Sequence, residues 1–494
     1  MLLTLVAVAT SAQERIPCVH TSQHAGTRGT YYSLPEPITN WDALYTYRQP
    51  VILVTFKDCN FSMSDPAAFY RRILNEQGYN EGKGKGCVAD YFREQSGGLF
   101  NLQFDVYGPI QVDTVVKSNK SNHGEWVMKN ALKKLRETSD ADFTVYDWTG
   151  KGKKVNQVIF IAAGYSGNSK SGYIWPNTSH SLDSVPGRLP IGCYSISCEK
   201  WNDEESCGIG TLIHEFAHCL GLPDIYPTGG TNNYYSAVDE WDLMDGGNYT
   251  DYGWCPPNFS TMEKMFLGWA KPTELTEATS ITGMKPVSEG GETFIIRNPN
   301  HQDEFYLLEN RQQEGWDYGT PGNGLLIFHV DFDYDKWLNN YVNVSKDHLR
   351  YALIPADNKV YTDWDPDNNG KDATRWTMEH RLRNRYFSTA GYPFIDSETL
   401  VINASLTNET VPASTLFNEN TDGTTFMSKP ITNIQVANDG TVSFDFMKEA
   451  TAISDAVRQE ADDNAPWYDL QGRKLTTKPT RKGLYIHNKK KVAF

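Results

Sequence analysis

Two histidines four residues apart, with a glutamate beside the first, sit within TLIHEFAHCLGLPDIY, residues 211–226. On a helix, positions four apart share a face, so His214 and His218 can offer both imidazoles to one ion. Glu215 stands to the side, where it can hold a water on the metal and take its proton. Ile213, Phe216, Ala217 and Leu220 are apolar or small and can anchor the helix while its polar edge lines a cleft. An HExxH string alone also occurs in helices whose histidines only satisfy hydrogen bonds, so the continuation matters. Gly221 can adopt the left-handed conformation that ends a helix. The turn could then carry Asp224, ten residues after His214, back toward the ion as a third ligand. Three protein ligands plus water is the usual catalytic zinc arrangement. Asp239, Glu240 and Asp242 lie near enough in sequence to compete for the third place.

The string fits HExxHxxGxxD, a metzincin-like pattern with aspartate in place of the usual final histidine. Downstream, EWDLMDGG (240–247) supplies Met244, read as a methionine turn flooring the metal rather than as ordinary core packing. Tyr249 and Tyr252 follow it and are candidates to help polarise a scissile carbonyl; the alternative is that they are cleft or surface aromatics. With VILVTFKD, VADYFREQSGGLFNLQFDVYGP, IAAGY, IWP, LGW, LLENRQQEGWD and GLLIFHVD, these stretches span roughly residues 50–340. Together they resemble the immune inhibitor A-type secreted zinc metallopeptidases. The resemblance implies zinc-dependent endopeptidase activity on protein or peptide substrates, with His214, His218 and Asp224 at the metal and Glu215 as general base.

The elements that must position these residues follow from periodicity. PVILVTF (50–56), LFNLQFDVYGPIQV and QVIFIAAGY (157–165) read as strands, and DPAAFYRRILNEQGY, VADYFREQSGG and a basic patch near 124–137 as helices. The motif helix is expected from about Gly208 to Leu220. This α/β texture, read as a metzincin-like catalytic domain over 49–272, changes at 273. TFIIRN, EFYLLENR, GLLIFHVDF and TVSFDFM then alternate between turn residues, the mark of a β-sandwich-like, all-β domain over 273–448. A polar linker is expected at 449–466 and a small β module at 467–494. The latter's WYDLQGRKL…KGLYIHNKKKV resembles C-terminal sorting domains that engage secretion machinery.

The ends and the composition point outside the cell. Residues 1–12 read as a signal peptide, shortened at its basic end, and 13–48 as a pro-segment or arm of a zymogen. Cys18, His20 and His24 in that arm are all able to bind zinc. A net charge of −15 argues against a nucleic-acid surface, and no run of 18 apolar residues suggests a membrane span. Eight cysteines with an export signal permit disulfides, and four of them, at 193, 198, 207 and 219, suggest one bracing the loop before the motif helix. DPDNNGKD (365–372) carries Asp365, Asp367 and Asn369 in a DxDxNG calcium-loop core, but Trp376 stands where an EF-hand needs glutamate, which also fits a solvated acidic turn.

Two function classes remain. One is a secreted zinc endopeptidase; the other is a non-catalytic adhesion or glycan-binding protein on a peptidase-like scaffold, against which the intact Glu215 counts.

Overall fold

The computed structural model describes residues 34–117, 124–167, 170, 172–180, 184–203, 206–228, 237–345, 347–358, 360–361, 386–387, 390–395 and 402–448, and within the C-terminal stretch 467–468, 475, 478, 484–487 and 490–493. The signal peptide, Cys18, the candidate calcium residues Asp365, Asp367 and Asn369, and the linker 449–466 lie outside these residues.

The chain is a mixed α/β protein. Its first half builds β1 (Thr46–Thr55), α1 (Pro66–Asn75), α2 (Val88–Gln95), β2 (Asn101–Gln111), α3 (Glu125–Thr138), β3 (Val155–Tyr165), β4 (Asn177–His180), β5 (Ile191–Lys200) and α4 (Gly210–Cys219). The strands form one sheet in the order β2-β1-β3-β5-β4, parallel except for β4, which runs antiparallel along the β5 edge. Continuous apolar runs in β1 and β3 are what a sheet covered on both faces requires. Side chains alternate: Val51, Leu53, Ile159 and Ile161 join the core that holds α1, α2 and α4, while Ile52, Val54, Val158 and Phe160 pack with α3. The α1 helix begins with Asp65 accepting from Ala68 N at 2.9 Å, and α2 begins with a reciprocal cap between Cys87 and Asp90.

After α5 (Thr261–Phe266), the strands β6 (Thr273–Glu274), β7 (Thr279–Met284), β8 (Phe294–Arg297), β9 (Glu304–Arg311) and β10 (Gly324–Asp331) lead to α6 (Tyr334–Leu338) and β11 (Tyr351–Leu353). Two short pairs follow, β12 (Val360–Tyr361) with β13 (Tyr386–Phe387) and β14 (Phe394–Ile395) with β15 (Ile402–Asn403), then β16 (Ile431–Val436) and β17 (Val442–Phe446). A second five-stranded sheet has the order β11-β10-β9-β8-β6, and β16, β17 and β7 make a three-stranded one.

The change of texture at 273 is a change of sheet within one compact unit ending at Phe446. One hydrophobic core runs from Tyr47 through Phe216 and Met244 to Phe328 and Leu353, so the second sheet and α4 share buried surface. The expected arm likewise ends inside this unit. Leu34 N donates to Leu338 O at 2.6 Å, Trp41 Nε1 donates to Leu267 O at 2.6 Å, and β1 starts at Thr46. The C-terminal stretch is a separate unit in which β18 (Trp467–Tyr468), β19 (Leu484–His487) and β20 (Lys490–Ala493) form an antiparallel sheet.

The expected disulfide is absent: no disulfide links the seven described cysteines. Cys193 and Cys198 are buried on β5 and Cys219 at the end of α4, where they pack as small apolar side chains, and burial pushes the Cys198 and Cys219 thiols well up. No described helix is long and apolar enough to cross a membrane.

Candidate metal centre

Every residue of α4 from Gly210 to Cys219 is buried, so its polar side chains are shielded from bulk solvent. The helix enters against the turn at 247–253. Ile209 N donates to Gly253 O at 2.8 Å, and a Cβ on Gly210 would stand 2.1 Å from Asn248 O, which leaves room only for glycine. It leaves through Gly221 at φ +103°, in the left-handed region expected for the turn.

That turn brings Asp224 back. Its Oδ1 lies 3.2 Å from His214 Nε2 and 3.2 Å from His218 Nε2, and the imidazole planes cross at 83°. All three side chains are fully buried. Among the described residues, these three are the metal-capable group that converges, with ligand atoms within 4.8 Å of one another.

The other ring nitrogens explain why the Nε2 atoms face inward. His214 Nδ1 lies 2.9 Å from Leu243 O, and His218 Nδ1 lies 2.7 Å from Leu222 O. A carbonyl can only accept, so each Nδ1 carries the proton, and a neutral ring then points its lone pair from Nε2 at Asp224. Two lone pairs and a carboxylate oxygen in contact repel unless a cation sits among them. The separations suit one: ligands ~2.0–2.1 Å from a tetrahedral zinc lie about 3.3 Å apart.

Asp224 is itself held. Asn340, in the loop after α6, accepts from Asp224 N at 2.6 Å and donates from Nδ2 to Asp224 Oδ2 at 2.8 Å, which leaves Oδ1 toward the imidazoles. Asn343 secures the next residue, with Nδ2 donating to Ile225 O at 2.9 Å and to Tyr351 O at 2.8 Å. Nothing in the sequence pointed to Asn340, which is 116 residues from its partner.

Met244 is fully buried, and its turn ties the motif together. Its carbonyl accepts from Ile225 N at 2.9 Å, its N–H donates to Asp242 Oδ1 at 2.8 Å, and the preceding carbonyl receives His214. Asp242 is occupied elsewhere. Burial pushes its carboxyl up, and burial together with the Asp242 charge pushes Glu263 well up. Asp239 N donates to Asp245 Oδ2 at 3.0 Å as part of the same turn. Tyr249 is buried and packs on Trp201 at 5.5 Å between ring centroids, whereas Tyr252 is partly buried with Lys83 Nζ 3.8 Å over its ring.

Glu215 is nearly as buried as the ligands. Its Oε2 lies 2.8 Å from Thr178 Oγ1 on β4, and its Oε1 makes no hydrogen bond among the described residues.

With this geometry in view, the comparison with known proteins is specific. Residues 178–270 match the family model described as immune inhibitor A peptidase M6, catalytic domain. This part of the chain resembles the immune inhibitor A metallopeptidases. Immune inhibitor A of Bacillus thuringiensis subsp. alesti is 24% identical over 281 residues, covering 46% of this chain and 41% of that protein. Pre-pro-metalloprotease PrtV of Vibrio cholerae serotype O1 is 21% identical over 243 residues, covering 41% of this chain and 26% of that protein. The chain thus spans less than half the length of either relative. The immune inhibitor A match contains every element of the centre from Thr178 to Met244, while Asn340 lies beyond the matched 178–270.

Proposed function

We propose that the chain is a zinc-dependent endopeptidase acting on proteins outside the cell. The observation that carries this is the convergence of His214 Nε2, His218 Nε2 and Asp224 Oδ1, beside a buried Glu215 whose Oε1 has no hydrogen-bond donor. The two imidazoles and the carboxylate would hold zinc. Zinc, when bound, supplies a Lewis acid that polarises the scissile carbonyl and lowers the pKa of water toward about 7.

The chain's own residues do the rest. Leu243 O and Leu222 O fix the imidazoles in the tautomer that presents Nε2, and Asn340 orients the carboxylate. Glu215 Oε1 takes the proton from the attacking water and later delivers it to the leaving amine. Burial keeps bulk water from competing for that proton. The apolar N-terminal run supports export, and the name of the Vibrio relative describes it as a pre-pro-protein. The region before β1 as a latency segment, the C-terminal unit as a sorting module and a calcium site at Asp365, Asp367 and Asn369 extend this reading and rest on sequence alone.

The test is Glu215→Gln, assayed on casein with zinc measured by atomic absorption. Activity is expected to fall ~10²–10⁴-fold, with zinc content and melting temperature unchanged. Activity above about a tenth of wild type would overturn the assignment.

A further inference from the structure

The edge strand β4 does more than complete the sheet. Thr178 lies opposite Ser195 of β5 in the antiparallel register and is buried. Its Oγ1 is 2.6 Å from the main-chain oxygen of Glu215 and 2.8 Å from Glu215 Oε2. One hydroxyl therefore reaches both the backbone and the carboxylate of the same residue, across 37 positions of sequence. A hydroxyl has one proton and two lone pairs. Given to Oε2, that proton confines the carboxylate to one orientation over its own helix turn, with the main-chain oxygen of Glu215 as the competing acceptor. A free glutamate side chain has rotamer freedom to lose, and here that freedom is removed before substrate arrives.

We propose that Thr178 is a positioning residue for the general base: it holds Glu215 Oε2, so that Oε1 is the oxygen left to accept the proton. This rests on the peptidase reading above. The alternative is a buried threonine that merely satisfies its hydroxyl, for which the Glu215 carbonyl alone would suffice. The arrangement also makes the edge strand part of the machinery, because a displacement of β4 would move the base. Misplacement of a reacting group by about 1 Å can cost on the order of 10²-fold in rate.

The experiment uses the full chain with zinc bound and compares Thr178→Val, which keeps shape and β-branching, with Thr178→Ser, which keeps the hydroxyl. With a fluorogenic peptide substrate, T178V should lower kcat about 10–100-fold, with a smaller change in KM and unchanged zinc content. T178S should recover to within a few-fold of wild type. In a Glu215→Gln background, T178V should add no further loss, because the group through which it acts is gone. Should T178V fail to fold, T178A against T178S carries the same contrast. A folded, zinc-loaded T178V or T178A within about twofold of wild type overturns the proposal, as does T178S impaired as deeply as the variant lacking the hydroxyl. If Glu215→Gln stays active, the peptidase mechanism itself fails. If it is inactive while T178V is fully active, only the role of Thr178 fails.

Discussion

Two buried polar clusters lie on either side of the methionine turn, and they are satisfied in opposite ways. Around Arg311 on β9, one buried guanidinium donates to two carboxylates. Its Nε donates to Asp317 Oδ2 at 2.7 Å, Nη2 to Asp317 Oδ1 at 2.5 Å and Nη1 to Glu309 Oε2 at 3.2 Å, while Trp241 O and Asn258 O accept from Nη2 at 3.3 and 3.2 Å. Donors there face acceptors. In the metal centre, His214 Nε2, His218 Nε2 and Asp224 Oδ1 bring lone pairs together, with Glu215 Oε1 close by in sequence. Both clusters are buried, so burial alone does not distinguish them. A cluster in which donors meet acceptors is a fastening, whereas a convergence of acceptors is a place for a cation.

That contrast can be broken experimentally. Its largest expression is catalytic: Glu215→Gln should lose orders of magnitude in activity while leaving stability intact, as set out above. Arg311→Ala should do the reverse. It leaves Asp317 and Glu309 buried without their counter-charge, which costs about 3–5 kcal/mol, so urea denaturation should show a much lower midpoint. A midpoint within error of wild type would mean that the cluster is not the fastening described.

Asn340→Ala sharpens the comparison, because Asn340 belongs to the β-rich half but touches a ligand. Loss of such an outer partner typically weakens metal affinity about 10–100-fold. Competition with a zinc chelator should show that loss, and added zinc should restore activity. Affinity equal to wild type would make the Asn340–Asp224 contact incidental.

The smallest effect concerns Glu304, another internally satisfied carboxylate. Burial by itself would push its pKa up, but His329 Nε2 at 2.8 Å, Phe417 N at 2.6 Å and Asn298 Nδ2 at 3.1 Å bring it down to about 2. A depressed folded-state pKa contributes stability above the ordinary value of 4.5, and that stability is lost as pH falls toward about 2. The melting temperature of wild type should therefore exceed that of Glu304→Gln at pH 7, with the gap closing between pH 4.5 and 2. A gap independent of pH would remove the carboxylate charge as its cause.

Much of the centre was readable because it is local. His214, Glu215 and His218 are placed by helix periodicity, and the Gly221 turn needs only a residue tolerant of positive φ. The strands and helices of the first half follow from apolar runs and caps within each segment. What was misread or unread is long-range. The disulfide expectation counted cysteines in a short window, but Cys193 and Cys198 are packed on β5 and Cys219 on α4. The boundary at 273 marked a real switch in periodicity, yet periodicity reports only which face of a segment is apolar and not what that face meets. Here the second sheet meets the same core as α4.

The sequence by itself determined the candidate ligand types, their shared helical face, the reversal after His218 and the presence of a glutamate beside the first histidine, since each depends on residues within one or two turns of chain. Only the tertiary structure decided which Asp224 oxygen faces the imidazoles, which Glu215 oxygen is held, and which acidic residues near 240 are occupied elsewhere. Those outcomes depend on Asn340, Thr178, Leu243 and Glu263, which reach the motif from distant segments. A hydrogen bond across 116 residues leaves no periodic trace in the chain, because it exists only once the core has brought its two ends together.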